Sequence, residues 1–383
     1  MEERLTRPRE EQAQRELGCT DVGAGTAWLL VGAFLLSIVS VGGIQQLSAH
    51  TGLGTAGVED RSAAAGVEVG SGAAPLRWAT LWSELPTDCS LEAFERELEG
   101  ALVVGGWALP GVQFILTRFL GTGNEQVYTG RGGWLFHRAS VEYPSGPPFL
   151  DPTRLDARRT DSDHCDPPPQ PDPIPAIRLF NDQLAARGIR LIVMPTPAKA
   201  VVHPDAFSQR YADRPGPVQN PSFRDFLDRL EAIGVPVFDP TPLLLEWEQE
   251  NGGLSAYLAT DTHWRPEAMA AVADGLAALV AQHGELSEPG SVPYTRGRLA
   301  VSNFGDLTTM LTLPPDQAVF PPERLTIAPI RGPGGERWQP QADAEVLLLG
   351  DSFSNVYSNR EAFTNRTAGR EYHWGEDAGL AEQ

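Results

Sequence analysis

Three short apolar runs, IRLIVM (Ile189–Met194), VPVF (Val235–Phe238) and AEVLLL (Ala344–Leu349), are interleaved with stretches of helical period. Such runs are too short for helices and lack the alternation of a half-wet strand, so they read as strands buried on both faces. The stretches between them are amphipathic. Pro175 to Arg187 carries Ile177, Phe180 and Leu184 on one face and stops at Gly188. Ser222 is placed to cap a helix striped by Phe223, Phe226, Leu227, Leu230 and Ile233, which Gly234 ends. Pro266 opens a third helix to about His283, with Ala268, Val272, Leu276 and Val280 in phase. Helices alternating with apolar strands predict an α/β fold, a parallel sheet flanked by helices. Sites in such sheets form at the carboxyl ends of strands, which singles out PTPAK, DPTP and GDSFS.

The amino-terminal region obeys a different constraint. Ala27 to Ile44 is an 18-residue run without a charge, inside an uncharged stretch from Val22 to Ala49. As a helix it is long enough to span the hydrocarbon of a bilayer. Arg4, Arg7, Arg9 and Arg15 precede it, and the first arginine beyond is Arg61. The asymmetry puts the tail in the cytoplasm and everything after residue 50 outside. A cleaved signal peptide is the alternative, although the apolar core is long for one and no small-x-small site follows. A buried core helix fits poorly with the Gly-rich flanks. The expected organisation is a tail (1–26), a transmembrane anchor (27–47), a linker with a helical segment (48–109) and one domain (110–383). Within that domain VYTGRGGWLFH (Val127–His137) reads as a hairpin, and DPPPQPDP (Asp166–Pro173) as a loop. Cys89 and Cys165 would lie in an oxidising space, either paired or as two free thiols.

Composition removes several function classes. Fifty acids against thirty bases give a net charge of −20, which argues against general nucleic-acid binding. Three cysteines without a CxxC pair exclude a zinc ribbon or a disulfide scaffold. Lys199 is the single lysine of the chain.

Chemistry concentrates at two places. AEVLLL runs directly into Gly350-Asp351-Ser352-Phe353-Ser354, and a serine on a tight strand-to-helix turn presents its hydroxyl at the sheet edge. Taken alone, GDS also fits an ordinary helix cap. The second place is YLATDTHW (Tyr257–Trp264), where Asp261 and His263 stand two residues apart before the Pro266 helix. In a loop this spacing lets the carboxylate take one imidazole N–H and frees the other nitrogen to deprotonate a serine. A helix cap beside a structural histidine is the plainer alternative. A metal pair lacks a further cluster at ligand spacing, so neither metal nor cofactor is expected. His203 and His164, the latter beside Asp163, are weaker competitors.

DTHW followed by GDSFS, with GNEQVYTGRGGWLFH, MPTPAKA (Met194–Ala200), GDSFSNVYS and HWGEDAGLAEQ, resembles the SGNH-hydrolase-like domain of the alginate O-acetyltransferase (AlgJ/AlgX) family. The resemblance is closest to its membrane-anchored AlgJ branch and covers most of residues 110–383. It implies Ser352 as the acetyl-carrying nucleophile, His263 as general base and acid, and Asp261 as its orienting partner. It also implies a periplasmic domain on a single-pass inner-membrane anchor. The acetyl source would be a multi-spanning membrane acyltransferase, and the acceptors mannuronate hydroxyls of alginate. The Ser352 backbone N–H is the expected oxyanion donor. Lys199, Arg265 and Arg360 are candidates to meet the anionic polymer, and Trp264 and Trp374 to stack on a sugar. The same triad would serve a carbohydrate acetyl esterase, and a non-catalytic envelope scaffold or carbohydrate-binding protein is the rival outside enzymes. The family domain continues past the position of Gln383, whose GLAEQ reads as the start of an amphipathic helix. The chain is therefore expected to be a piece of a longer protein or a natural shortened domain.

Overall fold

In the computed structural model the described residues are 103–383, apart from 161–170, 215, 285, 287–292, 342 and 368–369. The expected tail, anchor and most of the linker, together with Cys89 and Cys165, lie outside them. No helix among the described residues is long and apolar enough to cross a membrane. Leu109–Gln383 forms one compact unit.

The chain enters through α1 (Val103–Leu120) and the hairpin of β1 (Val127–Thr129) and β2 (Leu135–His137), in register Val127 to His137. Gly132 and Gly133 take positive φ in its turn, a conformation open to glycine. Helices α2 (Arg138–Ser145), α3 (Pro152–Thr160) and α4 (Pro173–Ala185) follow. Two single-turn helices, α5 (Lys199–Val202) and α6 (Pro204–Phe207), come next, then α7 (Phe223–Ala232), α8 (Thr241–Glu250) and α9 (Pro266–His283). The last third holds β3 (Thr295–Arg296), β4 (Leu299–Asn303), α10 (Asp306–Met310), β5 (Glu323–Ile327) and β6 (Ile330–Arg331). It ends with α11 (Ser352–Asn355), β7 (Thr364–Thr367) and β8 (Arg370–His373).

The expected parallel pairing of the first two apolar runs is present as a single bridge, and IRLIVM is not buried on both faces, since Ile189 is exposed and Leu191 to Met194 are half-buried. Val193 and Val237 face each other in parallel; the Val193 N–H donates to the Pro236 carbonyl at 3.0 Å and the Phe238 N–H to the Val193 carbonyl at 2.9 Å. Helices α4 and α7 cover this pair through Ile174, Ile177 and Leu230. Helix α9 starts and ends where Pro266 and His283 predict. Its first turn carries Glu267 and its last turn His283, each of the sign that the helix dipole favours. Ser222 precedes α7 but does not cap it; its hydroxyl accepts the Leu150 N–H instead.

Two expectations are corrected. AEVLLL joins no ladder among the described residues, and Val346, Leu347 and Leu349 are exposed. Apolar content qualifies a segment for a sheet, but only backbone pairing makes it a strand. GLAEQ forms a turn rather than a helix, with the Glu382 N–H donating to Gly379. The larger sheet is antiparallel, in the order β5-β4-β8-β7. Its strands β4 and β5 alternate buried and wet residues, and Val301, Leu325 and Ile327 join Val272 and Met269 of α9 in the main core.

Leu244 of α8 is fully buried in that core. Leu244→Ala is expected to cost about 2–5 kcal/mol of unfolding free energy, read as a lower urea midpoint. A change within about 0.5 kcal/mol would contradict the packing described.

Candidate active site

Residues 257–264 form a tight hairpin-like loop. Tyr257 and Trp264 bridge in antiparallel fashion, the Leu258 N–H donates to the His263 carbonyl and the Arg265 N–H to Ala256. The segment is pinned from outside as well. Glu323 of β5 accepts the N–H and hydroxyl of Thr260 at 2.9 and 2.8 Å. Asp306, at the start of α10, accepts the Thr262 N–H at 2.8 Å. Gly305, with φ of 87°, lies so close that an added Cβ would fall 2.2 Å from the Thr260 carbonyl oxygen, so only glycine fits.

Asp261 and His263 project inward from this loop, and both are buried. Asp261 Oδ1 lies 2.6 Å from His263 Nδ1. An ionised carboxylate only accepts, so Nδ1 carries the proton and donates it. The same carboxylate accepts the His263 backbone N–H at 3.0 Å, the Trp374 indole N–H at 2.7 Å and the Asp306 N–H at 3.1 Å. Burial pushes the Asp261 carboxyl up, but the His263 charge and these hydrogen bonds outweigh it and hold it below the usual carboxylate range. Burial likewise pulls the imidazole down, while Asp261 overrides it and leaves His263 raised. Burial and the neighbouring Asp261 charge push Asp306 up to about 6.

His263 Nε2 is buried and has no hydrogen-bond partner among the described residues. The ring lies between Phe353, 4.8 Å between centres, and Phe363, 5.6 Å and edge-on. Phe353 follows Ser352, the first residue of α11, so the serine turn sits against the imidazole. Asp351 caps this helix by accepting the Phe353 N–H at 3.0 Å. Ser352 itself is exposed, and no hydrogen bond joins it to His263. Two reciprocal bonds fasten the serine turn to the histidine loop. The Trp264 indole donates to the Phe353 carbonyl at 3.1 Å, and the Tyr357 hydroxyl donates to the Trp264 carbonyl at 2.6 Å. The carboxyl-terminal segment supports the turn from beyond, through Leu380 N–H to the Ser354 carbonyl at 2.8 Å.

The five residues expected to meet a polymer stand differently. Trp264 is fully buried and has no face free for a sugar; its contacts make it a link between the two halves of the site. Lys199 is buried, and its Nζ is occupied by backbone carbonyls. Arg265 is half-buried, 3.9 Å from Glu323. Arg360 is exposed but engaged by Glu371 at 2.9 Å and Glu376 at 3.5 Å. Trp374 is also fully buried and binds Asp261 rather than presenting a stacking face. His203 Nε2 lies 3.1 Å from a Glu248 carboxylate oxygen. Asp306 and Glu323 are the site residues that the sequence does not single out, because they arrive from distant segments, and Trp374, singled out for a sugar, donates to Asp261 instead.

Asp261, His263 and Asp306 bring one ligand atom each within 4.8 Å of one another. The Nδ1 proton points at Asp261, and both Asp261 oxygens already take two donors each. The arrangement is built to orient an imidazole and hold its charge. The His263 raise has a stability consequence. A base raised on folding stabilises the fold below its unfolded pKa of about 6.5, and the benefit fades as pH rises through the folded value. Asp261→Asn should remove the raise and lower the His263 titration midpoint, followed by NMR of the ring. An unchanged midpoint would contradict the pairing.

A family model described as the SGNH hydrolase-like domain of acetyltransferase AlgX matches residues 127–371. The chain is similar to the probable alginate O-acetylase AlgJ of Pseudomonas aeruginosa, 29% identical over 237 residues, which cover 60% of this chain and 53% of that protein. The AlgJ of Azotobacter vinelandii is 29% identical over 185 residues, 46% of each chain. The chain thus spans about half the length of the curated relatives it matches. Among solved structures, the O-acetyltransferase domain of Pseudomonas putida AlgJ aligns with a TM-score of 0.39 and 23% identity, over 54% of this chain and 66% of that one. Pseudomonas aeruginosa AlgX aligns with a TM-score of 0.40 and 17% identity, over 54% and 45%. With its family model covering more than half of its length, the chain belongs to the AlgX-type family of SGNH hydrolase-like domains.

Proposed function

We propose that this protein is an O-acetyltransferase that carries acetyl on Ser352 and passes it to hydroxyl groups of an exported polysaccharide, the mannuronate units of alginate. The observation that carries the reading is the buried Asp261–His263 hydrogen bond of 2.6 Å, fastened through Trp264 to the turn that bears Ser352. Membership in a family described by an acetyltransferase, and relatives named as probable alginate O-acetylases, support the substrate class.

In the first step His263 Nε2 takes the Ser352 hydroxyl proton while Oγ attacks the acetyl carbonyl of the donor. The tetrahedral oxyanion forms beside the Ser352 backbone N–H, the first amide of α11 and one that a helix leaves without an internal acceptor. Collapse expels the donor's leaving group, which takes the proton from His263, and acetyl-serine remains. In the second step His263 removes the proton of a sugar hydroxyl, whose oxygen attacks the acetyl-serine carbonyl. Ser352 leaves and recovers that proton. Asp261 keeps the Nδ1–H in place and stabilises the imidazolium in both steps. Closing the triad requires the exposed Ser352 hydroxyl to swing onto Nε2. Exposure suits a nucleophile that must meet a polymer chain.

The same reading assigns residues 27–47 as a single-pass inner-membrane anchor with the domain in the periplasm, supported by the arginine asymmetry. A multi-spanning membrane acyltransferase would hand acetyl to the outer face. The reading is tested by incubating the protein with an activated acetyl ester and mannuronate oligomers, then weighing the oligomers. Acetylated oligomers are expected, and Ser352→Ala should fall below about 1% of that rate. Free acetate without acetylated oligomer would assign an esterase instead. Oligomer binding unchanged by Ser352→Ala, with no turnover in either protein, would favour a carbohydrate-binding scaffold.

A further inference from the structure

Lys199 is the one lysine of the chain, and the mechanism does not use it. Its ammonium lies directly behind the acid-bearing loop. Nζ stands 2.6 Å from the Leu135 carbonyl, 2.8 Å from that of Ala259 and 3.0 Å from that of Asp261. The Trp134 and Phe136 rings flank it at 4.9 and 5.1 Å. No carboxylate pairs with it among the described residues. The three carbonyls belong to two separate pieces, β2 and the 257–264 loop, which otherwise share the Leu135 N–H to Ala259 bond.

The hydrogen-bond count fixes what this nitrogen must be. An ammonium has three N–H donors, one for each carbonyl. A neutral amine has two, and its lone pair would face the third carbonyl oxygen across about 3 Å. The pocket therefore selects the charged form and collapses by one contact when it is lost. That charge sits on the backbone of Asp261, where it favours the ionised carboxylate and holds its position.

We propose that Lys199 is a positioning residue for acyl transfer, a buried cationic clamp that holds the Asp261 turn against β2 and so aims His263. The proposal rests on the acetyl-transfer reading above for its kinetic consequence, but not for the clamp. Other groups that face Lys199 are Asp261 in the loop, Asp306 of α10 and Glu323 of β5; His203, one turn along its own segment, lies 3.1 Å from Glu248 of α8. The hairpin side contributes the Leu135 carbonyl and the two aromatic rings. Burial pushes Lys199 down to about 7, with the three carboxylates pulling the other way. Loss of its proton then opens the clamp as pH rises through that region, and activity falls with it.

The single lysine makes the test direct. Nitrogen-15 lysine labelling of the full chain gives one side-chain signal, whose shift distinguishes ammonium from amine. The expected result is an ammonium at about pH 6, converting to amine over the pH range in which kcat for Ser352 acetylation declines. Lys199→Met, of similar length and uncharged, should lower kcat by roughly 10- to 100-fold, leave KM within about twofold and abolish that alkaline decline. An amine signal at the pH of full activity overturns the proposal, whether or not the methionine variant folds. So does a folded Lys199→Met with the wild-type kcat and pH profile. A wild-type protein that never acetylates Ser352 overturns the acetyl-transfer reading and the kinetic role together, and the nitrogen shift still decides the clamp.

Discussion

A carboxylate buried without partners costs several kcal/mol, and the Asp261 carboxylate is almost wholly removed from water. The structure meets that cost with four hydrogen-bond donors, two on each oxygen. Those donors tie together three parts of the chain. His263 comes from the same loop, the Asp306 amide from the start of α10, and Trp374 from the segment after β8. Removing a partner from a buried charge pair costs about 3–5 kcal/mol, so the geometry around His263 is held by more energy than a surface loop commands. The general-base role proposed for His263 calls for that rigidity, because it depends on where the free nitrogen points.

The serine is held differently. Its turn is anchored through Phe353 and Tyr357 to Trp264, while the hydroxyl stays in solvent. The rigid Asp261–His263 pair and the exposed serine thus meet along one tryptophan, whose burial and two hydrogen bonds explain its place directly after the histidine. Its ring serves the assembly of the site and offers no surface to a substrate. Arg265 and Arg360 likewise both stand close to acids, at 3.9 Å from Glu323 and 2.9 Å from Glu371.

Much of this was legible in the residues. Proline at the start and histidine at the end delimit α9, the turn glycines place the β1–β2 hairpin, and Asp-x-His before a helix marks the buried hydrogen-bonded pair. These are local patterns, in which spacing along the chain equals proximity in space. The parts that were not legible depend on separation. Trp374 reaches Asp261 across 113 positions and Trp264 reaches Phe353 across 89, and no periodicity announces either. The sole lysine reads as a surface cation by its type, yet the three carbonyls that bury it come from segments 60 or more residues away. AEVLLL shows the converse failure. Its apolar content matches a central strand, but pairing is a property of neighbours, and the segment enters no strand ladder among the described residues.

The central claim is that Ser352, beside this buried pair, becomes the acyl carrier. Exposure to an activated acetyl ester followed by intact mass and peptide mapping tests it most directly, helped by the burial of the one lysine that would otherwise compete. One added acetyl group is expected, located on Ser352 and absent from Ser352→Ala. A folded wild-type protein that gains no acetyl, or gains it elsewhere, would contradict it.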